Sequence, residues 1–240
     1  MGEQDILVIQ EDAHEQRLGN SSHMTFEEFI TKHEIDISPN VVSFCQQGIE
    51  RMRSSVDPAH NVGHLERMFA GLSRFVDENK DLETDFETLL ISISWHDIWR
   101  ATNFQPNLVG ALRSHFTEGR NAAKSTAEEM AKAGFEQNLI DRVRYCVGKH
   151  PDPQFAKRES LESQILHDLD HMDSWSEERL QEIKGYLSDS SKGKYVLPLL
   201  KRVKGTILSK ANHKYYFDSS QRERDRRFPK FIEQVEKLFG

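Results

Sequence analysis

The sequence predicts an all-α fold, and three features carry that expectation. Glycine and proline are few, 13 and 7 in 240 residues, which favours long helices over frequent tight turns. Apolar residues recur at helical spacing, most clearly in the stripe Val62, Leu65, Met68, Phe69, Leu72, Phe75 and Val76. The stretch from Phe86 to Trp99 is apolar on nearly all sides, as in a helix at the centre of a domain. No alternating strand pattern competes with these signals.

Taken in order, residues 1–23 are polar with one short apolar piece, Ile6–Ile9, and are expected to form a loose arm. A single helical domain is expected over 24–240. Ser38-Pro39 reads as an N-cap with proline at the first helical position, opening a helix through Arg53. Further helices are expected near 108–116, 120–133, 136–150, 159–172, 176–187, 192–211 and 222–239. Pro151-Asp152-Pro153 closes one of them, and Ser188–Ser191 marks a looser joint.

Composition narrows the function. The balance of 32 basic against 39 acidic residues, net −7, supplies no general basic field for nucleic acid. Fourteen phenylalanines and three tryptophans provide enough large apolar area to exclude global disorder. Cys45 and Cys146 lack CxxC spacing and read as reduced thiols. Ile6–Ile9 is too short for a secretory signal, and no run approaches the roughly 18 apolar residues of a membrane span. A cytoplasmic protein without membrane contact is the expectation.

The chemistry-bearing residues are polar groups on apolar helix faces, where burial is costly unless they are paired or bind a metal. At about 100° per residue, His96 and Asp97 fall at the margins of the face formed by Phe86, Leu89, Leu90 and Ile93. His64 lies at the edge of the Met68–Phe75 stripe, His115 with Leu108 and Leu112, and His150 with Leu139, Val143 and Cys146. Asp168 shares the face of Leu161, Ile165 and Met172, whereas Asp170 and His167 are expected to turn away from it. Five helices thus each turn a histidine or aspartate inward, and such an imidazole and carboxylate set in an apolar bundle points to a metal.

The order His64…His96-Asp97…Asp168 resembles the HD-domain metal-dependent phosphohydrolase superfamily, small bacterial hydrolase type. The segment DPAHNVGHLERM at 57–68 is similar to the family's D-x-S-H-D-x-x-H-x-x-R-V helix. SWHDIWR at 94–100 matches the His-Asp helix, LHDLDHMDSW at 166–175 the D-A-D-R-L-D segment, and YYFDSSQRERDRRFPKFIEQVEKLF at 215–239 the C-terminal helix. Asn61 stands where many relatives have Asp, and His171 where many have Arg. Trp99-Arg100 lacks the second acid of the HDxxD variant.

The resemblance implies a multi-helix bundle with the metal site in its core. It implies a divalent cation on His64, His96, Asp97 and Asp168, with Mn²⁺ first and Fe, Co, Ni or Mg as alternatives. It further implies hydrolysis of a phosphomonoester or pyrophosphate bond in a small, nucleotide-like molecule. His60 and Asp173 are candidates for proton transfer or ligand support beside Asp97, and Arg67, Arg100 and Lys149 for substrate binding. His115 and His150 would serve a second metal, in which case the chain would resemble binuclear phosphodiesterases or diiron oxygenases. A non-catalytic nucleotide-sensing module is the remaining alternative.

Overall fold

The computed structural model describes residues 23–103, 108–151, 157–189 and 214–239, without the side chains of 108–116, 186–189 and 238–239. Ten helices are described: α1 Phe26–Lys32, α2 Pro39–Arg53, α3 Val62–Glu78, α4 Phe86–Trp95, α5 Ile98–Thr102, α6 Leu108–Lys132, α7 Gln137–Lys149, α8 Leu161–Asp173, α9 Glu177–Asp189 and α10 Asp218–Phe239. No strand occurs among the described residues, so the all-α expectation holds. No described helix is long and apolar enough to cross a membrane. The expected N-terminal arm, apart from His23, and the expected helix at 192–211 lie outside the described residues.

Local chemistry sets the helix starts. Thr25 and Glu28 form a reciprocal capping box at α1, with Glu28 N donating to Thr25 Oγ1 at 3.1 Å and Thr25 N to Glu28 Oε2 at 2.7 Å. Ser38 caps α2 with Pro39 at its first turn, as its sequence predicts. Asn61 caps α3 by accepting from His64 N at 3.1 Å, which gives this residue a structural duty.

Every residue of α4 from Thr88 to Trp95 is buried, because α2, α3, α7 and α8 all pack against it. The polar atoms inside it are satisfied locally: Ser92 Oγ donates to Thr88 O and Ser94 Oγ to Leu90 O. Trp95 stacks on Phe44 with centroids 4.4 Å apart, and its Nε1 donates to Phe44 O at 3.0 Å.

Two expectations need correction. The helix expected through Trp99 ends at Trp95, and α5 begins after Asp97, whose φ of −102° and ψ of 8° leave helical geometry. The helices expected at 108–116 and 120–133 are one continuous α6. Gly119 does not break it. A Cβ there would lie 2.5 Å from Pro151 Cγ and 2.9 Å from Gly148 O, so this glycine permits close approach of the segment ending α7. The chain leaves α6 through Gly134 at a φ of +78°, a conformation that favours glycine.

Around α4 the remaining helices divide the work. α6 and α7 form an antiparallel pair, α1 lies on α3, and α8 is packed on α3, α4 and α7 with α10 behind it. A smaller apolar cluster of Trp175, Leu180, Phe231 and Val235 joins α10 to the start of α9.

The tight fit around Trp95 generates a test. A Cβ on Gly48 would sit 2.6 Å from both Ser94 O and Trp95 Nε1. Gly48→Ala should therefore lower unfolding free energy by about 2 kcal/mol or more in urea titrations. Gly185→Ala, with nothing within 4 Å of the added methyl inside α9, should instead stabilise by about 0.5–1 kcal/mol.

Candidate metal centre

α3 and α8 face each other with matched pairs one turn apart. His64 and Arg67 project from α3, Asp170 and Asp173 from the last turn of α8. Asp173 Oδ2 accepts from His64 Nδ1 at 2.7 Å, while Arg67 grips the same carboxylate through Nε at 2.6 Å and Nη2 at 3.3 Å. Glu182 of α9 closes the other side of the Arg67 guanidinium at 3.1 Å. Burial works against the Asp173 charge, but the His64 hydrogen bond and the Arg179 and Arg67 cations hold its pKa well below the usual carboxylate range. Asp173 therefore accepts only, and the His64 proton sits on Nδ1.

The break after α4 sets the other histidine. His96 Nδ1 lies 2.8 Å from Ile93 O, and a carbonyl can only accept, so Nδ1 carries a proton there too. His150, which ends α7, repeats this with Val147 O at 2.8 Å. In their neutral forms all three rings turn an Nε2 lone pair inward. The Nε2 atoms of His64 and His96 lie 3.2 Å apart, and the rings of His96 and His150 have centroids 4.8 Å apart.

Asp97 and Asp170 complete the cluster. One ligand atom from each of His64, His96, Asp97 and Asp170 lies within 4.8 Å of all the others. Asp97 Oδ2 is 3.1 Å from His96 Nε2 and 3.5 Å from His64 Nε2, and Asp170 Oδ1 is 3.6 Å from His64 Nε2. The Oδ2 atom is buried and meets no donor in hydrogen-bonding geometry, a costly state unless a cation is bound. Burial resists the Asp97 charge, but His96, His60 and His150 hold its pKa well below the ordinary range. Asp170 is likewise lowered: burial and Asp97 push it up, and His96, His64 and His150 outweigh them. Burial also opposes a charge on His96, yet Asp97 and Asp170 raise its pKa to about 9. Two anionic carboxylates and converging imidazole nitrogens form a set that could hold a metal ion.

Asp168, expected as the closing ligand, is elsewhere. Its Oδ2 accepts from Tyr216 N at 3.0 Å and Phe217 N at 3.1 Å, and its Oδ1 is 3.0 Å from His167 Nδ1. It ties the segment leading into α10 to α8. One buried side was expected for α8, but α3, α4, α7 and α10 all pack against it. Asp168 takes the α10 side; Asp170, two residues and about 200° onward, takes the cluster side. For the same reason His167, expected to turn outward, is buried at 1% exposure, its ring 4.4 Å from that of His171.

The remaining candidates divide. His60 is in the site, with Nδ1 2.8 Å from Asp57 Oδ2 and Nε2 3.8 Å from Asp97 Oδ2. Burial and the nearby Arg100 lower its pKa, against the opposing pull of Asp97 and Asp57. His150 Nε2 reaches Asp97 Oδ1 at 3.4 Å; the His115 side chain lies outside the described residues. Arg67 is internal and bound to carboxylates, so it positions Asp173 rather than meeting solvent. Arg100 flanks the site between Glu118 at 2.8 Å and Asp57 at 3.6 Å. Lys149 lines a groove of about 700 Å³ between α6 and α7, beside Arg120, Lys124 and Arg144. The structure adds Asp170, Glu118 and Arg179. The matched i, i+3 pairs on α3 and α8 could have revealed Asp170; nothing in the sequence singles out the other two.

No family model matches the chain, and no curated protein matches it. Among solved structures, a predicted HD superfamily hydrolase from an uncultured Thermotogales bacterium is similar over 83% of this chain and 91% of its own, with a TM-score of 0.54 and 18% identity. The two chains therefore share a fold.

Proposed function

We propose that the protein is a divalent-metal-dependent phosphohydrolase that cleaves a phosphomonoester or pyrophosphate bond in a small nucleotide-like substrate. The observation that carries this reading is the convergence of the His64 and His96 Nε2 lone pairs on two ionised carboxylates, with Asp97 Oδ2 buried and without a donor. The fold likeness and the motif resemblance support the reaction class, and the resemblance alone supplies the nucleotide.

His64, His96, Asp97 and Asp170 would hold the cation, and their mixed nitrogen and oxygen donors suit Mn²⁺, Fe, Co²⁺ or Ni²⁺ better than Mg²⁺. Such an ion lowers the pKa of a bound water and polarises a phosphoryl oxygen. Asp173 and the Ile93 carbonyl keep the two imidazoles aimed. His60, held by Asp57 with its Nε2 toward the site, is placed to move a proton. Arg100 contributes positive charge at one flank, steadied by Glu118.

One observation favours a second reading. The two Asp97 oxygens face different imidazoles, Oδ2 toward His64 and His96 and Oδ1 toward His150. His150 and Asp97 would then help to hold a second cation, the case in which the chain would resemble binuclear phosphodiesterases or diiron oxygenases. Metal analysis decides between them: two ions per chain favour the binuclear site, one the mononuclear.

The two aspartates of α8 should separate cleanly. Asp170→Ala should abolish Mn²⁺ retention and cut phosphate release across an ester panel at least about 100-fold, with thermal stability of the metal-free protein little changed. Asp168→Ala should do the opposite, costing about 3 kcal/mol through its lost backbone bonds while Mn²⁺ still binds. Full activity in Asp170→Ala would end the assignment.

Acidity gives a further test. His96 titrates near 9 in the folded metal-free protein, above its ordinary 6.5, so a metal must displace its proton. Mn²⁺ affinity, measured by chelator competition, should rise about tenfold per pH unit across that window and level off above it. A raised folded pKa stabilises the protonated state, so the metal-free protein should lose stability as pH climbs from 6.5 through about 9. A pH-independent affinity would contradict the ligand role of His96.

A further inference from the structure

A basic residue that contacts a substrate anion needs donors to spare, some exposure and proximity to the cluster. Arg67 is near but 3% exposed, with its fork filled by Asp173 and Glu182. Arg100 is near and 27% exposed, but it already sits between the carboxylates of Glu118 and Asp57. Lys149 lines the groove between α6 and α7.

Arg179, in the first turn of α9, meets all three conditions. Its Nη1 donates to Asp173 Oδ2 at 3.2 Å and its Nη2 to His60 Nε2 at 3.4 Å, and its side chain is 13% exposed. Both bonds are at the long end of the useful range. Asp173 already accepts the Arg67 fork and the His64 N–H, so its charge is shared before Arg179 approaches. A guanidinium carries five N–H donors, and these two contacts use one from each terminal nitrogen. Asp170 is the most exposed member of the cluster, at 20%.

We propose that Arg179 is the specificity-determining residue that binds the substrate's terminal phosphate, exchanging its long contacts with Asp173 and His60 for a two-pronged grip on phosphate oxygens. This rests on the phosphohydrolase reading of the same site. The planar fork matches phosphate geometry, and a terminal phosphate offers it more charge and more acceptor oxygens than an internal diester does. The exchange also releases His60 Nε2, whose lone pair the Arg179 N–H otherwise occupies. Arg179 thereby links recognition of the phosphate to availability of the imidazole.

The test is calorimetric titration of inorganic phosphate into the Mn²⁺-loaded protein, with Mn²⁺ content and phosphate release from an ester panel measured in parallel. Wild type should bind phosphate. Arg179→Met should bind it about 10- to 100-fold more weakly with unchanged Mn²⁺ content, and Arg179→Lys should fall between, as a charge without the fork. Equal affinity in wild type and Arg179→Met overturns the proposal, as does a wild type that binds no phosphate. Loss of Mn²⁺ from both variants would also overturn it, showing that Arg179 acts through Asp173 and His64. If Arg179→Met does not fold, equal phosphate affinity in Arg179→Lys and wild type decides against the grip. Wild-type protein that binds phosphate through Arg179 yet hydrolyses no ester would sink the hydrolase reading alone; turnover with affinity independent of Arg179 would sink this proposal alone.

Discussion

Imidazole rings at the centre of this protein are aimed by what their outer nitrogens donate to. His64 gives its Nδ1 proton to the Asp173 carboxylate, His96 to the Ile93 carbonyl and His150 to the Val147 carbonyl. Each acceptor can only accept, so each inner nitrogen is left with a lone pair unless a second proton binds. Two such nitrogens 3.2 Å apart beside a buried, donor-less carboxylate oxygen repel unless positive charge is shared among them. A proton serves in the metal-free state, which is why burial fails to keep His96 neutral and its pKa stands at about 9. A divalent cation serves better, because it can meet all the donors at once.

Much of the architecture follows from delivering those donors. α4 is buried on every side, and its ending after Trp95 turns His96 and Asp97 toward the same space instead of 100° apart around a continued helix. α8 is gripped on two sides, so its aspartates divide between anchoring the segment before α10 and lining the site. Arg67 is sealed between Asp173 and Glu182, and it holds the carboxylate that holds His64. Support of this kind fixes the geometry of a cluster that could hold a metal ion.

The helices were legible in the sequence because their apolar periodicity is strong and their caps are explicit, as at Ser38-Pro39. His64 was legible because it sits at the edge of an apolar stripe, and His96 and Asp97 because they are polar groups in a stretch that is otherwise apolar on nearly all sides. At α8, Asp168 and Asp170 each meet other elements of the fold, and facing cannot choose between them. The two helices expected at 108–116 and 120–133 are joined through Gly119, whose close contact with Gly148 and Pro151 is a relation set by tertiary packing. Glu118 and Arg179 were hidden for a similar cause: their proximity to the cluster depends on how α6 and α9 are placed, which no local pattern encodes.

The central claim is that four side chains, including Asp170 and excluding Asp168, hold one cation between α3, the α4–α5 break and α8. Anomalous diffraction at the manganese edge, from crystals grown with Mn²⁺, addresses it directly. The account predicts a peak among His64 Nε2, His96 Nε2 and the carboxylates of Asp97 and Asp170, with Asp168 still bound to the Tyr216 and Phe217 amides. A peak coordinated by Asp168, or no peak between the two imidazoles at saturating Mn²⁺, would contradict it.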